Sequence, residues 1–277
     1  DIGMELKWGD EEATFELLRM IAYRKGFGDV LAEGSYRAAK KIGKGSEKYA
    51  MTIKNMEMMG FDPRVGARTW NLGSITSVRG GDNLRSTHFG FSPREYKEGE
   101  DTKLIEWFDM PSDVKKAVFG TPPHIDEYTY SGKALLVKWL EDLTAVINAL
   151  GVCLFASSEV GLGPTHYAKL YSSLTGFQLT PADIMLVGER IHNLQRAYAV
   201  REGITRAQDK WPARFYEERI AEGPSQGAVL DKDKIDTFLD EYYRLRGWNA
   251  SGIPSREKLE ELGLEDVAFD LQNRGFI

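Results

Sequence analysis

The fold is decided by residues 133–155, which read KALLVKWLEDLTAVINALGVCLF. Apolar residues recur there at helical spacing, which predicts a long helix from about Lys133 to Leu150 with one broad apolar stripe. The stripe contains Leu135, Leu136, Trp139, Leu140, Leu143, Val146, Ile147 and Leu150. Gly151 follows directly and is well placed to end the helix. The only cysteine of the chain, Cys153, comes two residues later.

Helical periodicity also dominates the amino-terminal part of the chain. Apolar residues recur at helical spacing around residues 11–25, which predicts a helix that ends near Gly26. Asp29 is expected to cap a second helix that runs to about Ile42.

Residues 51–60 show a different pattern, in which apolar and polar side chains interleave. We interpret this segment as an extended connector that enters the loop at 61–64 and marks a subdomain boundary. The predicted division places the end of a first helical domain at residues 1–54 and a second helical domain at residues 55–277.

Further helices are predicted toward the carboxyl end. Thr180 is expected to be the N-cap of a helix with Pro181 at its first position. The predicted apolar face of that helix contains Ile184, Val187, Ile191, Leu194 and Tyr198. Two more helices are expected at 235–245, ending at Gly247, and from Ser255 to Leu262. Strand signals are few, with no regular hairpin spacing, so the predicted fold class is all-α and multihelical.

Composition excludes several classes of function. The chain has 277 residues, of which 42% are hydrophobic, and a net charge of −6, so it lacks the basic surplus of a nucleic-acid-binding protein. No apolar stretch approaches the ~20 residues that span a bilayer, so no membrane partner is expected. A single cysteine excludes an internal disulfide framework and fits a reducing compartment, which favours a cytoplasmic location. The chain begins with Asp1 and its first methionine is Met4, which suggests a fragment or a processed piece.

Self-contained sites are not visible in the sequence. No glycine-rich dinucleotide fingerprint occurs, and residues 42–46, IGKGS, lack the full spacing of a phosphate loop. The histidines are widely separated, and no Cys-x-x-Cys pair is present, so a zinc site within the chain is not expected. The four histidines are His88, His124, His166 and His192.

Two segments resemble a site more than a scaffold. In residues 148–155, Cys153 follows a helix and a glycine, so its thiolate can face a cluster; the alternative is a small buried hydrophobic residue. In residues 79–85, two glycines permit close backbone approach, and Arg79 and Arg85 can hold a phosphate or a carboxylate. The alternative for this loop is a solvated, charged turn. The residues alone leave both pairs of alternatives open.

Several segments, taken together, carry a resemblance to a known family. They are GFGDVLAEGS at 26–35, FDPR at 61–64, RGG at 79–81, DLTA at 142–145, LGVCLF at 150–155, GERI at 188–191 and YRLRGW at 243–248. In order and approximate spacing they resemble the tungstopterin-dependent aldehyde:ferredoxin oxidoreductases, specifically the carboxyl-terminal helical part. The resemblance covers nearly the whole chain.

The resemblance implies a tungsten (or molybdenum) bis-pterin cofactor and a [4Fe–4S] cluster. In that family an amino-terminal β-rich domain forms a base under the cofactor, a closely spaced upstream group supplies three cluster cysteines, and Cys153 matches the fourth. Neither the β-rich base nor the three upstream cysteines are present here. Gly151 and Leu154 belong to the same motif and are therefore candidate cofactor-binding residues. The implied partners are the missing amino-terminal region or subunit and a ferredoxin-like electron acceptor, and relatives are often homodimers.

Two positions depart from the family pattern. Asn148 stands where the family usually has an aspartate that accepts hydrogen bonds from the pterin, which weakens pterin binding there. Asn83 stands where the aldehyde oxidoreductases have a histidine near the metal, and an amide cannot relay a proton near pH 7. Arg85 agrees with the basic residue that the family places near the pterin phosphates. His88 is close in sequence and could replace the missing histidine only along a different loop path.

Three functions are compatible with these features. The first is the carboxyl-terminal part of an oxidoreductase that oxidises aldehydes to carboxylates and passes electrons through the cluster to ferredoxin. The second is a relative of the benzoyl-CoA reductase type, or another member with a different substrate, which would not need the histidine that Asn83 replaces. The third is a non-catalytic helical module. In each case the fragment alone is not expected to be active.

Overall fold

A computed structural model describes residues 3–86, 105–106, 108–157 and 161–277. Its α-helices, numbered in chain order, are α1 Glu11–Ala22, α2 Gly28–Leu31, α3 Ser35–Ile42, α4 Arg68–Thr76, α5 Ser112–Phe119, α6 Lys133–Ala149, α7 Pro164–Thr175, α8 Pro181–Arg201, α9 Arg214–Glu217, α10 Lys232–Arg246, α11 Arg256–Glu261 and α12 Glu265–Asn273. One small antiparallel pair, β1 Thr52–Ile53 and β2 Met56–Glu57, is the only sheet in the described ranges. The predicted all-α, multihelical fold is confirmed.

Helix α6 is the centre of the fold, because it is buried on more than the one predicted face. Leu140 and Leu143 face a core shared with α5 and α7, whereas Val137 packs into a second core shared with α4, α10 and the hairpin. A third core joins the carboxyl half of α8 to α11 and α12. Since two of the three cores pack around α6, the acidic residues Glu141 and Asp142 of this helix are also enclosed.

The helix ends predicted from local chemistry are confirmed. Gly151 has φ +68° directly after α6, and Gly247 has φ +70° directly after α10. Thr180 caps α8 through a reciprocal pair of hydrogen bonds with Asp183, and Ser255 accepts a hydrogen bond from the backbone N–H of Lys258 in α11. These signals need only neighbouring residues, which is why the sequence carries them.

The second amino-terminal helix was predicted wrongly. It divides into α2 and α3, because Gly34 takes φ +83° between them. Asp29 lies inside α2 and is not the cap; its carboxylate instead accepts a hydrogen bond of 2.9 Å from Arg24. This ion pair, together with the hydrogen bond from Arg24 to Glu33, ties the short helix to the turn before it.

Residues 51–60 are a hairpin rather than a simple connector. Thr52 pairs with Glu57 and Ile53 with Met56, around a two-residue turn of Lys54 and Asn55 that both have positive φ. Such a turn matches the twist of the two strands it joins. The division proposed between residues 54 and 55 would fall inside this turn, and it stays a prediction.

The apolar face predicted for α8 is largely wrong. Ile184 is buried, but Val187, Leu194 and Tyr198 are 42%, 45% and 59% exposed. The buried face of α8 is instead polar in its middle, and it contains Gly188, His192, Asn193, Arg196, Ala197, Ala199 and Val200. These polar side chains face inward because buried residues on other elements form hydrogen bonds with His192, Asn193 and Arg196.

Candidate functional site

The segment around Cys153 begins with a tight helix end. After α6, the Val152 N–H donates to the Ile147 carbonyl at 3.1 Å, and the Gly151 N–H donates to the Asn148 carbonyl at 3.1 Å. This is the double hydrogen bond of a Schellman ending, and it requires the left-handed conformation that Gly151 adopts. The turn sends the chain sharply away from the helix just before the cysteine.

Cys153 itself is held by its backbone and exposed at its side chain. Its carbonyl accepts hydrogen bonds from the Ala156 N–H at 3.1 Å and from the Ser157 hydroxyl at 2.7 Å, which closes a 3₁₀ turn over Leu154–Ala156. The thiol is free and exposed. Within this chain Cys153 is thus not buried, and its thiol is accessible to a partner.

The residues next to Cys153 form an exposed, mainly apolar surface. Leu150, Val152 and Phe155 are 37%, 38% and 59% exposed, and Asn148 is exposed beside them. Leu154 is half-buried and packs against the core that α6 shares with α7. A thiol surrounded by exposed apolar side chains is typical of a surface that another chain or domain covers.

The loop at residues 79–85 is ordered by its own aspartate. The Asp82 carboxylate pairs with the Arg79 guanidinium and accepts a hydrogen bond of 2.9 Å from the Leu84 N–H. Asn83 is only 5% exposed, and its carbonyl accepts a 2.9 Å hydrogen bond from the Ser86 N–H. The alternative of a solvated, charged turn therefore does not describe Asn83, which is buried, although Leu84 is exposed.

Arg85 points from the loop toward α8. Its Nη1 donates to Gln195 Oε1 at 3.2 Å, and its Nε is buried without a hydrogen-bond partner in the part of the chain that the structure describes. Burial, followed by repulsion from Arg79, lowers the pKa of Arg85 from its usual value. A half-buried guanidinium with an unused donor is suited to hold an anionic group.

A buried ionic cluster lies in the interior near the loop at residues 79–85, and the sequence patterns did not predict it. We call Glu141, Asp142, His192, Tyr242 and Arg246 the Glu141 cluster. Arg246 donates to Glu141 Oε2 at 2.6 Å and to Asp142, and the Tyr242 hydroxyl donates to Glu141 Oε2 at 2.5 Å. The only signal in the sequence was a pair of acids in the middle of an otherwise apolar helix.

Burial within the Glu141 cluster shifts the pKa of Glu141 and that of His192. Burial raises the pKa of Glu141, although Arg246 and Tyr242 oppose this shift by favouring the carboxylate. Burial also holds the pKa of His192 well below its usual value, and Arg246 and Arg85 lower it further by repulsion. His192 is therefore neutral at pH 7, with Trp248 stacked on its ring at 6.0 Å.

The donor set fits one part of a larger cofactor site. Among the described residues, no group of three or more histidine, cysteine or acidic side chains could hold a metal ion. An iron–sulfur cluster needs about four protein ligands, and the exposed Cys153 thiol could supply one. His88 lies outside the described residues. The described residues thus offer one exposed thiol and one arginine with an unused donor, and the remaining ligands would have to come from elsewhere.

The chain belongs to the aldehyde ferredoxin oxidoreductase family, because the family model for domains 2 and 3 of these enzymes matches residues 1–264. It is 35% identical over 262 residues to the tungsten-containing aldehyde ferredoxin oxidoreductase of Pyrococcus furiosus, covering 94% of this chain and 38% of that protein. The enzyme of the same name from Thermococcus kodakarensis is 34% identical over 262 residues, again 38% of its length.

Two further similarities extend beyond aldehyde oxidoreductases. The WOR-like subunit of an aliphatic sulfonate oxidoreductase from Pyrococcus furiosus is 30% identical in an alignment of 278 positions that covers 96% of this chain and 37% of that protein. The solved active-site complex of a benzoyl coenzyme A reductase with 1,5-dienoyl-CoA aligns with a TM-score of 0.78 and 27% identity. That alignment covers 100% of this chain and 42% of the solved chain. This chain therefore spans less than half the length of the relatives it matches.

No helix in the described ranges is long and apolar enough to cross a membrane.

Proposed function

We propose that this chain is the carboxyl-terminal helical part of a tungsten bis-pterin oxidoreductase and that Cys153 supplies one thiolate to a [4Fe–4S] cluster. The observation that carries the proposal is the exposed Cys153 thiol, which follows the glycine turn after α6. Two hydrogen bonds to the Cys153 carbonyl hold the backbone at this position. Four tungsten-containing relatives, each 34% or 35% identical over most of the chain, support the cofactor.

The chemistry of the absent groups would be that of the family. When bound, the tungsten bis-pterin and the cluster would supply two-electron oxidation of an aldehyde and single-electron transfer to a ferredoxin-like acceptor. This chain would position them. Asn148 and Gly151 lie on the turn before Cys153 and would face the pterin, and Leu154 supports that turn from the core. Arg85 would hold the pterin phosphates through its unused Nε donor.

Asn83 limits the part that this chain can play in proton transfer. A buried amide can donate a hydrogen bond to a carbonyl oxygen or a developing oxyanion, but it has no proton to exchange near pH 7. The neutral His192 is enclosed by its own cluster and is 0% exposed, so it does not replace the histidine that the family has at the position of Asn83. Neither residue would then act as a general acid or base.

The apolar surface next to Cys153 supports a covering partner. Leu150, Val152 and Phe155 are too exposed for a finished core, and the relatives are more than twice as long as this chain. We assign this surface to the amino-terminal region that the relatives carry, supplied in the same polypeptide or as a separate subunit.

The test is Cys153→Ser in the complete protein, in which this chain is joined to that region. We expect the iron content and the cluster absorbance to fall sharply, with the far-ultraviolet circular dichroism unchanged. Ser157→Ala is the matched control, because it removes a hydrogen bond to the Cys153 carbonyl and leaves the thiol. Unchanged iron in the Cys153 variant would refute the ligand assignment.

A second candidate is a reaction of the benzoyl-CoA reductase type. The alignment of the solved benzoyl coenzyme A reductase with all of this chain favours it. Asn83 favours it too, because such a reaction would not need the histidine that Asn83 replaces. Aldehyde-dependent reduction of a viologen dye by the complete enzyme separates the two candidates. Turnover with aldehydes supports the first, whereas no turnover across a broad aldehyde panel would contradict it.

A further inference from the structure

The site loop rests on the hairpin with almost no space between the two backbones. A Cβ atom added to Gly80 would lie 2.9 Å from the Met56 Cβ, and one added to Gly81 would lie 2.9 Å from the Met58 Cα. The Met59 N–H also donates to the Gly81 carbonyl at 3.4 Å. The position of the loop therefore depends directly on the position of the hairpin.

The hairpin is too small to hold that position alone. Each strand has two residues, and an isolated two-stranded hairpin is marginally stable at best. Its turn is also unfavourable, because Lys54 takes φ +51°, a conformation that glycine, asparagine and aspartate adopt far more readily than lysine. A lysine in this place points to a function for its side chain.

The Lys54 side chain is buried and anchored at its far end. It is 3% exposed, and its ammonium group lies 2.8 Å from Asp209 Oδ1. Asp209 is itself fixed by a bidentate pair with Arg196, at 3.1 and 2.8 Å, and by the Tyr243 hydroxyl at 2.5 Å. The tip of the hairpin is thus attached to a rigid buried group.

The same ammonium group also reaches the base of the site loop. It donates a hydrogen bond to the carbonyl of Ile75, in the last turn of α4. Residues 77–78 connect that turn directly to Arg79, the first residue of the loop. Lys54 therefore contacts the helix from which the loop departs, and it belongs to the hairpin on which the loop rests.

We propose that Lys54 is the positioning residue of the site loop, because it fixes the hairpin relative to α4 and so places Asn83 and Arg85. The inference rests on the proposed function only in treating these two as site residues. Without the ammonium group, the hairpin and the end of α4 would separate, and the loop between them would open locally.

The test is hydrogen exchange of backbone amides in this chain, without any cofactor, comparing Lys54→Met with the unaltered protein. We expect the Asp82 and Leu84 amides, both hydrogen-bonded within the loop, to exchange at least about tenfold faster in the variant, with amides of α12 unchanged. Lys54→Arg keeps a cationic donor and should restore part of the protection.

The matched control is Lys133→Met. Lys133 is 1% exposed, like Lys54, but it lies at the start of α6 near Phe119 and Glu127. It should lower global stability without selectively opening the loop. Equal acceleration of the Asp82 and Leu84 amides in both methionine variants, or no greater acceleration than in α12, would overturn the proposal.

A measurement on the unaltered chain decides the matter if Lys54→Met does not fold. The Met58 amide of the hairpin should share one opening reaction with the Asp82 and Leu84 amides, with the same dependence on denaturant. Separate openings would also overturn the proposal. Since no iron is involved, this result does not depend on whether Cys153 is a cluster ligand.

Discussion

Arg246 and Glu141 form an ion pair across 105 residues of sequence, with Nη2 2.6 Å from Oε2 and both side chains fully buried. The same guanidinium contacts Asp142, so one arginine serves two adjacent acids of α6. Buried carboxylates need a cationic partner, and Asp142 has a second one in Lys138, whose Nζ lies 3.0 Å from Oδ2. The pair fixes the contact between α10 and α6 more specifically than apolar packing would.

Arg246→Met should therefore lower the free energy of unfolding by about 3–5 kcal/mol, because it leaves the buried Glu141 carboxylate without its cation. Arg256→Met is the matched control, since Arg256 pairs with Glu260 at 2.7 Å on the surface, where solvent screens such a pair and its loss should change stability little. Urea unfolding followed by circular dichroism measures both. Similar losses in the two variants would contradict a structural role for the buried pair.

Gly188 allows α8 to approach α6 closely. A Cβ atom at this position would lie 2.1 Å from the Asp142 carbonyl oxygen, so Gly188→Ala should destabilise the chain by about 1–3 kcal/mol although alanine favours helix. Ser173→Ala, at an exposed position in α7, should change the free energy of unfolding by no more than about 0.5 kcal/mol. A stabilising Gly188→Ala in urea unfolding would show that the two helices have room to separate.

Helix ends and helix faces differed in how far the sequence could predict them. Gly151, Thr180 and Ser255 act on their immediate neighbours, and each was predicted correctly. The inward face of α8 was not, because His192 and Arg196 are buried only through distant partners. Arg196 needs Asp209, and His192 lies 3.2 Å from the Tyr242 hydroxyl, 50 residues away.

The candidate site was predictable to a similar, limited degree. The glycine turn before Cys153 followed from spacing, but the exposure of the thiol depends on which elements cover α6. The sequence could predict that the backbone at Gly80 and Gly81 approaches another group closely, since glycines permit such an approach. It could not predict that this group is the hairpin, because the hairpin turn of Lys54 and Asn55 contains no glycine.

Glu127 should make the stability of the chain depend on pH. Burial raises its pKa from 4.5 to about 7, against the opposing attraction of Lys133. The folded state therefore binds more protons than the unfolded state between pH about 4.5 and about 7, so the stability contributed by Glu127 falls as the pH rises through this window.

Glu127→Gln should remove this slope, which is at most about 1.4 kcal/mol per pH unit. The measurement is the free energy of unfolding in urea at several values between pH 4.5 and 8. Glu47→Gln, at an exposed position, should leave the slope unchanged. A wild-type curve that rises across the window, with the same curve in the Glu127 variant, would contradict the assignment.

Cys153 should react as a single, readily accessible thiol in this chain. Because its side chain is exposed after the glycine turn, one equivalent of a disulfide reagent such as dithionitrobenzoate should be consumed without denaturant. In the complete protein the same thiol should be protected, since a cluster would occupy its sulfur and the amino-terminal region would cover Val152 and Phe155. Phe155→Ser is a useful companion, because it should weaken that covering while leaving the thiol in place. Equal reactivity of Cys153 in the chain and in the iron-loaded complete protein would show that the thiol faces solvent in both, and the proposed cofactor surface would then have to lie elsewhere.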